Sequence, residues 1–342
     1  EEGVLVTDET PSFYAYESEY DVRGAKHTLR GFLALVRIED LGKGVYPHEA
    51  THAKPKVDRL NVMRFCLGNI SPIYALYNSR YRVASEILGE ACRQPHLSAH
   101  DQNGSVHRIA PVSDEYRIRS IREELLDKPV FIADGHHRYE VALEFKREME
   151  EKEGKGDADF RPWNYVLMFL ANMADEGITI LPTHRLVRGP AKKEAVLERL
   201  ASDFTIVRQG MDRDITSTLA GAGRNTFGLC LTGEDCWYAL TYTGKDLDGV
   251  DPALRNLDVT LLHELILKRD LGITDVSYEM DVRESVSRVR AGEYDAAFFL
   301  NPTGVDDVER VALSGVRMPP KSTYFYPKLL TGMVIYSFRH QF

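Results

Sequence analysis

Phe131-Ile132-Ala133-Asp134-Gly135-His136-His137-Arg138-Tyr139-Glu140 decides how this chain reads. Lys128-Pro129 precedes a short apolar run, Val130 to Ala133, with the length and bulk of a buried strand. After it, Tyr139 to Glu153 carries Val141, Ala142, Phe145 and Met149 among Glu, Lys and Arg, the spacing of an amphipathic helix. Asp134-Gly135 then becomes a tight strand-to-helix turn. Such a turn aims backbone N–H groups and the positive end of a helix at one spot, which suits an anion and phosphate best. His136, His137 and Arg138 add donors and charge, and a guanidinium can grip two phosphate oxygens at once. A plain turn with two surface histidines is the competing reading. A glycine turn alone would be weak evidence, but strand, Asp-Gly, three cationic or titratable residues and helix in that order are more specific.

The chain has 342 residues, enough for one large domain or two ordinary ones. Hydrophobic residues make up 43% and charged residues 28%, so a normal core can form. The net charge of -9 argues against a duplex-binding surface, and no nucleic-acid partner is expected, although a local basic pocket fits. Cys66, Cys92, Cys230 and Cys236 are scattered, with no Cys-x-x-Cys pair, which reads as a reduced, cytoplasmic protein. No apolar run reaches membrane-spanning length and no signal peptide is visible, so no membrane partner is expected. The sequence starts Glu-Glu-Gly without Met, which reads as a truncated or processed start.

Outward from the turn, residues 3 to 40 read as a meander with antiparallel strands around Tyr20 to Lys26 and a break at Gly31. Residues 41 to 60 read as a polar loop limited by Pro47 and Pro55, with a helix from Val57 through Phe65. Ile73 to Tyr77 predicts a buried strand, 81 to 93 a helix, Gln102-Asn103-Gly104 a hairpin, and Ser113 to Leu126 a helix. Lys152 to Asp159 reads as a charged loop, and Trp163 to Met173 as buried. Beyond it come a helix at Ala191 to Leu200 and strands at Phe204 to Val207, Phe227 to Leu231 and Cys236 to Thr241. Asp258 is an N-cap candidate for a helix at Val259 to Lys268. Helices at Val282 to Ala291 and Val305 to Leu313 flank a strand at Ala296 to Leu300. Met318 to Lys328 is loop-like, and Leu329 to Phe338 reads as a closing strand. The domain expectation is a core over 1–190, a small α/β subdomain over 191–250, and a C-terminal α/β segment over 251–342 that packs on the core.

His48-Glu49-Ala50-Thr51-His52 matches the zinc-peptidase pattern, which works only when a helix puts both histidines on one face. Prolines bracket the match and apolar flanks are missing, so no metal is assigned there. A polar substrate loop is the better reading, with Glu49 a candidate general base and His48 its neighbour. Lys54, Lys56, Asp58 and Arg59 suit a phosphorylated or zwitterionic small substrate, against the plain reading of a solvated charge run. His184-Arg185 follows a strand and a Pro-Thr turn and reads equally as a surface pair or as ligands. Lys321-Ser322-Thr323, stiffened by two prolines, offers an ammonium and two hydroxyls, a donor set like that of a phosphate site; an ordinary turn reads as well.

These blocks carry a resemblance. Asp134-Gly135-His136-His137-Arg138-Tyr139 resembles the signature of the bacterial and archaeal family known as domain of unknown function 1015. The blocks His48 to Leu60, Asn69 to Ile73, Leu181 to Arg185 and Met318 to Lys328 agree in order, over nearly the whole chain. Members of that family usually carry residues before this start, which implies a missing N-terminal piece. The Gly-His-His-Arg turn is also similar to the phosphate turn of the ParB/sulfiredoxin superfamily, which includes free-serine kinases. A sulfiredoxin has Cys in this turn where His stands here, so its chemistry is not implied. The resemblance implies a mixed α+β fold, a ParB/sulfiredoxin-like core with a smaller α/β subdomain. It also implies nucleotide or phosphate binding.

The leading functional expectation is a phosphotransferase, kinase-like, on a small hydroxy metabolite such as serine, with ATP or ADP and Mg²⁺ as companions. Asp134, Gly135, His136, His137 and Arg138, with Ser322 and Thr323, would hold phosphates. Glu49 with His48 would take the hydroxyl proton, and Arg185 or Lys321 would neutralise the transferred group. Lys56, Asp58, Arg59 and His184 would meet the substrate. The alternatives are a non-catalytic, nucleotide-responsive binding protein and a phosphoserine-type phosphatase. The oligomeric state stays open.

Overall fold

Arg23 and Gly24 both adopt left-handed backbone, φ 55° and 84°, and this tight turn folds the first two strands onto each other. In the computed structural model, which describes residues 5–51, 53–154, 161–189, 193–244, 247 and 249–339, the chain divides into two units. Unit 1 comprises 1–47, 51–179 and 325–342; unit 2 comprises 48–50 and 180–324. Among the described residues, no helix is long and apolar enough to cross a membrane.

Unit 1 runs through β1 (Phe13–Val22), β2 (Ala25–Arg37), β3 (Val45–Pro47), α1 (Ala53–Cys66), β4 (Gly68–Asn69), β5 (Ile73–Tyr77), α2 (Val83–Ala91), β6 (Leu97–His100), β7 (Val106–Val112), α3 (Glu115–Leu125), β8 (Val130–Asp134), α4 (His136–Glu153) and β9 (Tyr165–Asn172). Eight strands form one mixed sheet, ordered β3-β8-β5-β9-β2-β1-β7-β6. Gly31, expected as a break, lies inside β2. A side chain there would strike the Phe169 ring and the Leu170 carbonyl, so glycine lets two neighbouring strands close up. α1 starts at Ala53, not Val57, so Lys56 joins Asp58 and Arg59 in the helix. Pro55 is tolerated because it sits in the first turn, where a missing N–H forfeits no helical bond. The charged loop expected at 152–159 lies mostly outside the described residues; α4 continues to Glu153.

One face of the sheet packs Phe32, Ile73, Ala75, Ile132, Met168 and Leu170 with Tyr139 and Phe145 of α4. Phe169 stands edge-on to Tyr16 and Tyr74, at centroid distances of 5.3 and 5.0 Å. The C-terminal segment packs on these aromatics. Phe325 meets Tyr74 at 5.5 Å and Tyr326 meets Tyr20 at 5.3 Å. The Leu330 N–H donates to the Tyr16 hydroxyl at 3.2 Å, which is itself 2.7 Å from His107 Nδ1. The expected strand Leu329 to Phe338 is therefore reduced to Tyr336–Ser337, paired with β4. At Leu330 the backbone donor goes to a side chain instead of a neighbouring strand.

Unit 2 contains β10 (Thr179–Leu181) at the passage from unit 1, then β11 (His184–Val187), α5 (Lys193–Leu200), β12 (Phe204–Gly210), α6 (Ile215–Ala222), β13 (Thr226–Leu231), β14 (Cys236–Tyr242), α7 (Asp258–Thr260), β15 (Val276–Glu279), α8 (Val282–Arg290), β16 (Ala296–Phe299) and α9 (Val305–Leu313). Leu261–Asp270 continues α7 as a wider π-helix. Six strands form an antiparallel sheet ordered β12-β14-β13-β16-β11-β15. The boundaries expected at 190 and 250 do not divide it. Cys230 of β13 and Leu186 of β11 both pair with Ala297 of β16, which makes one sheet of strands from 184 to 299. The sequence pattern does not predict α6 or β15, although Asp214 caps α6 by accepting from Ser217 N–H at 2.7 Å.

Asp258 does not cap its helix; Leu257 holds that position. The Asp258 carboxylate instead accepts from the N–H of Asn225, at 2.8 Å, where the backbone is left-handed (φ 66°). Burial, with Asp307 nearby, pushes the Asp258 carboxyl up to about 6, against the opposing pull of the Asn225 N–H and Arg224. Its folded-state pKa therefore lies above the usual 3.8. The folded state holds the proton more tightly, so this group's contribution falls as pH rises from about 4 to 6 and stays reduced above that. Asp258→Asn keeps the acceptor oxygen. It should raise stability at pH 7 by roughly 1–3 kcal/mol and add little at pH 4, as read by urea melts at both. Equal gains at the two pH values would remove the ionisation as the cause.

Candidate functional site

In unit 1, β8 ends at Asp134 and α4 begins at His136, three residues before the start read at Tyr139. Gly135 is the helix N-cap, with φ 99° and no side-chain cap. A side chain there would be strained by that φ, and its Cβ would lie 2.8 Å from Arg138 Nε. Tyr139 N–H makes the first helical bond, to the Gly135 carbonyl at 3.0 Å. The first-turn N–H groups of His136, His137 and Arg138 are those that a helix leaves without an intrahelical acceptor.

The side chains are arranged differently from the expectation. Arg138 pairs with Asp134 at 2.6 Å and donates a second bond to the Pro72 carbonyl. Burial lowers its pKa, which Asp134 partly offsets and the charge of Arg59 reinforces. Asp134 also pairs with Lys328 at 3.2 Å, so two cations bracket one carboxylate. Lys56 pairs with Glu140, which also accepts from the Thr51 hydroxyl at 2.8 Å. Asp58 and Arg59 are exposed on α1, His136 is buried and His137 half-buried. The sequence pattern assigns no role to Lys328 or Glu140. The Pro327-Lys328 pair was a usable signal; Glu140 had none beyond its helical position.

In unit 2, His48, Glu49 and Ala50 are extended, not helical, with Glu49 bridged in parallel to Met318. The His-Glu-x-x-His match is thus not carried by a helix, and His52 lies outside the described residues. Among the described residues, no three or more His, Cys, Asp or Glu gather as metal ligands. Glu49 Oε1 accepts from the Lys321 N–H at 2.9 Å. His48 Nε2 lies 2.8 Å from Thr323 Oγ1, Ser322 Oγ donates to the Pro319 carbonyl at 2.6 Å, and Thr303 Oγ1 donates to the Ser322 carbonyl at 2.9 Å. Ser322 and Thr323, expected on phosphate, use these hydroxyl bonds to hold the turn 319–323. Within it Lys321 is left-handed at φ 60°, an unfavourable conformation for a residue with a side chain.

His184 and Arg185 point to opposite faces of β11, as neighbours in a strand must. His184 is buried edge-on against Phe299, at 5.0 Å between centroids. Arg185 is only 1% exposed, so it cannot touch a transferred group as expected; burial removes it from contact. It donates to the carbonyls of Thr183 and Lys321, the latter at 3.0 Å, and to His263 Nε2 at 3.1 Å, and it lies over the Tyr278 ring at 5.3 Å. Burial lowers its pKa to about 10, opposed by Tyr278 and Glu49. Burial and the adjacent guanidinium push His263 down to about 3, so it is a neutral acceptor at pH 7. His263 lies among leucines and charged residues, and nothing in the sequence marked it.

Lys56, Asp58, Arg59 and Asp134 to Arg138 thus belong to unit 1, and His48, Glu49, His184, Arg185 and Lys321 to Thr323 to unit 2. No curated protein matches the chain. Several solved structures are similar to it at low identity. One is a free serine kinase in complex with AMP, with 12% identity, 91% of this chain and 93% of that one covered, and a TM-score of 0.47. Another is a conserved hypothetical protein from Pyrococcus furiosus, with 12% identity, 91% and 97% covered, and a TM-score of 0.45. A third is SbnI with a C-terminal truncation from Staphylococcus aureus, with 13% identity, 87% and 85% covered, and a TM-score of 0.43. The family described as protein of unknown function (DUF1015) matches residues 1–260, and the chain belongs to it.

Proposed function

We propose that this chain is a phosphate- or nucleotide-binding enzyme, a kinase-like phosphotransferase acting on a small hydroxy metabolite, with serine the first candidate. The observation that carries the reading is the β8–α4 turn, where left-handed Gly135 opens an 18-residue helix among Arg138, Arg59 and Lys328. ATP or ADP phosphates would occupy the helix N-terminus, with Gly135, His136 and His137 around them. Arg138 would exchange the Asp134 carboxylate for phosphate oxygens, one anion for another. Glu49 would accept the substrate hydroxyl proton and Lys321 would offset negative charge on the substrate. Mg²⁺ would be held largely by phosphate oxygens and water, as is usual for this ion.

Calorimetry with ADP and ATP tests the reading. Arg138→Ala should weaken nucleotide binding by about 1.5–3 kcal/mol, the scale of a charge-assisted hydrogen bond. Unchanged affinity of every phosphorylated ligand would remove the turn as the phosphate site.

A further inference from the structure

A buried guanidinium is ordinarily paired with a carboxylate, because an uncompensated charge is expensive away from water. Arg185 departs from that rule. Its three hydrogen bonds go to two carbonyls and a neutral imidazole, and among the described residues no carboxylate forms an ion pair with it. One of those carbonyls belongs to Lys321, whose ammonium is exposed and, among the described residues, without an ion pair. The strained backbone at Lys321 is held by Glu49 on its N–H and Arg185 on its C=O. Glu49, Arg185 and Lys321 together carry one net positive charge.

We propose that the Pro319–Thr323 turn of unit 2 binds the acid group, carboxylate or phosphate, of the small substrate, and that His263 enables this by holding Arg185 without cancelling its charge. The identification of the ligand as the substrate rests on the function proposed above; the anion site itself does not require a nucleotide on unit 1. Lys321 meets the anion directly. Arg185 acts from behind through the Lys321 peptide and is a positioning residue, as is His263. A glutamate at 263 would accept the same Nε–H and neutralise the guanidinium, whereas a glutamine would accept it and leave the charge.

The test titrates inorganic phosphate and acetate, in separate arms, into the full chain by calorimetry, with ADP titrated in parallel. The phosphate and acetate arms distinguish a phosphoryl from a carboxyl ligand. His263→Gln should bind the preferred anion within about threefold of the unsubstituted protein, while His263→Glu and Lys321→Met should each weaken it at least about tenfold. Equal losses in His263→Gln and His263→Glu would reduce His263 to a structural support and overturn the proposal. So would undiminished binding in His263→Glu, or no anion binding to the unsubstituted chain. Lys321 is exposed, so Lys321→Met carries the test if His263→Glu does not fold. Anion binding lost in Arg138→Ala but kept in Lys321→Met would assign the anion to unit 1 and overturn the proposal alone. Loss in Lys321→Met from a chain that binds no ADP would support it while removing the nucleotide.

Discussion

Glu49→Gln should lower turnover by about 10²–10⁴-fold, the usual share of a general base, and leave nucleotide affinity nearly unchanged. The substitution isolates proton transfer from architecture. Glu49 Oε1 accepts the Lys321 N–H at 2.9 Å, and a glutamine oxygen can accept the same bond. The strained turn therefore stays anchored while the carboxylate is lost. The assay is phosphate transfer with serine against ATP or ADP, and with phosphoserine against ADP. Full activity in Glu49→Gln would remove Glu49 from the chemistry while leaving the unit 1 turn intact. No transfer or hydrolysis by the unsubstituted protein with any of these pairs would leave a nucleotide-responsive binding protein.

The largest expected loss of stability is at Phe169. Its ring is fully buried in the centre of the unit 1 sheet, edge-on to Tyr16 and Tyr74 and over the space that Gly31 leaves empty. Phe169→Ala removes those contacts and opens a cavity that β2 and β5 are too constrained to fill. The cost should be about 3–5 kcal/mol, read from a urea midpoint at unchanged slope. Phe169→Leu retains most of the volume and should cost less than half as much. A loss below about 1 kcal/mol in the alanine variant would mean that the site collapses readily and that the aromatic cluster is not a packing centre.

The turn at Gly135 was legible because three local signals agree there: a β-branched and aromatic run, a glycine and an amphipathic stretch. Legibility failed where tertiary contacts outweighed local preference. Leu329 to Phe338 has strand composition, yet the Leu330 N–H goes to Tyr16, more than three hundred residues away in sequence. Asp258 has the composition of a cap, yet the helix begins one residue earlier and its carboxylate serves Asn225. At the candidate site, sequence named the charged residues but not their bonds. Arg138 already holds Asp134 and Arg185 is sealed from solvent, and both facts follow from long-range packing. His263 was invisible because a neutral histidine beside a buried arginine has no sequence periodicity.

The interrupted path of unit 1 has a consequence for synthesis. Its sheet is encoded by residue 172, but Phe325, Tyr326 and Leu330, which cover Tyr74, Tyr20 and Tyr16, are translated only after the long segment of unit 2. At about 5–20 residues per second, the roughly 150 intervening residues take about 8–30 s. For that interval the nascent chain presents an aromatic surface to the ribosome exit and to whatever chaperone waits there. A ribosome stalled near residue 300 would hold it in that half-covered state.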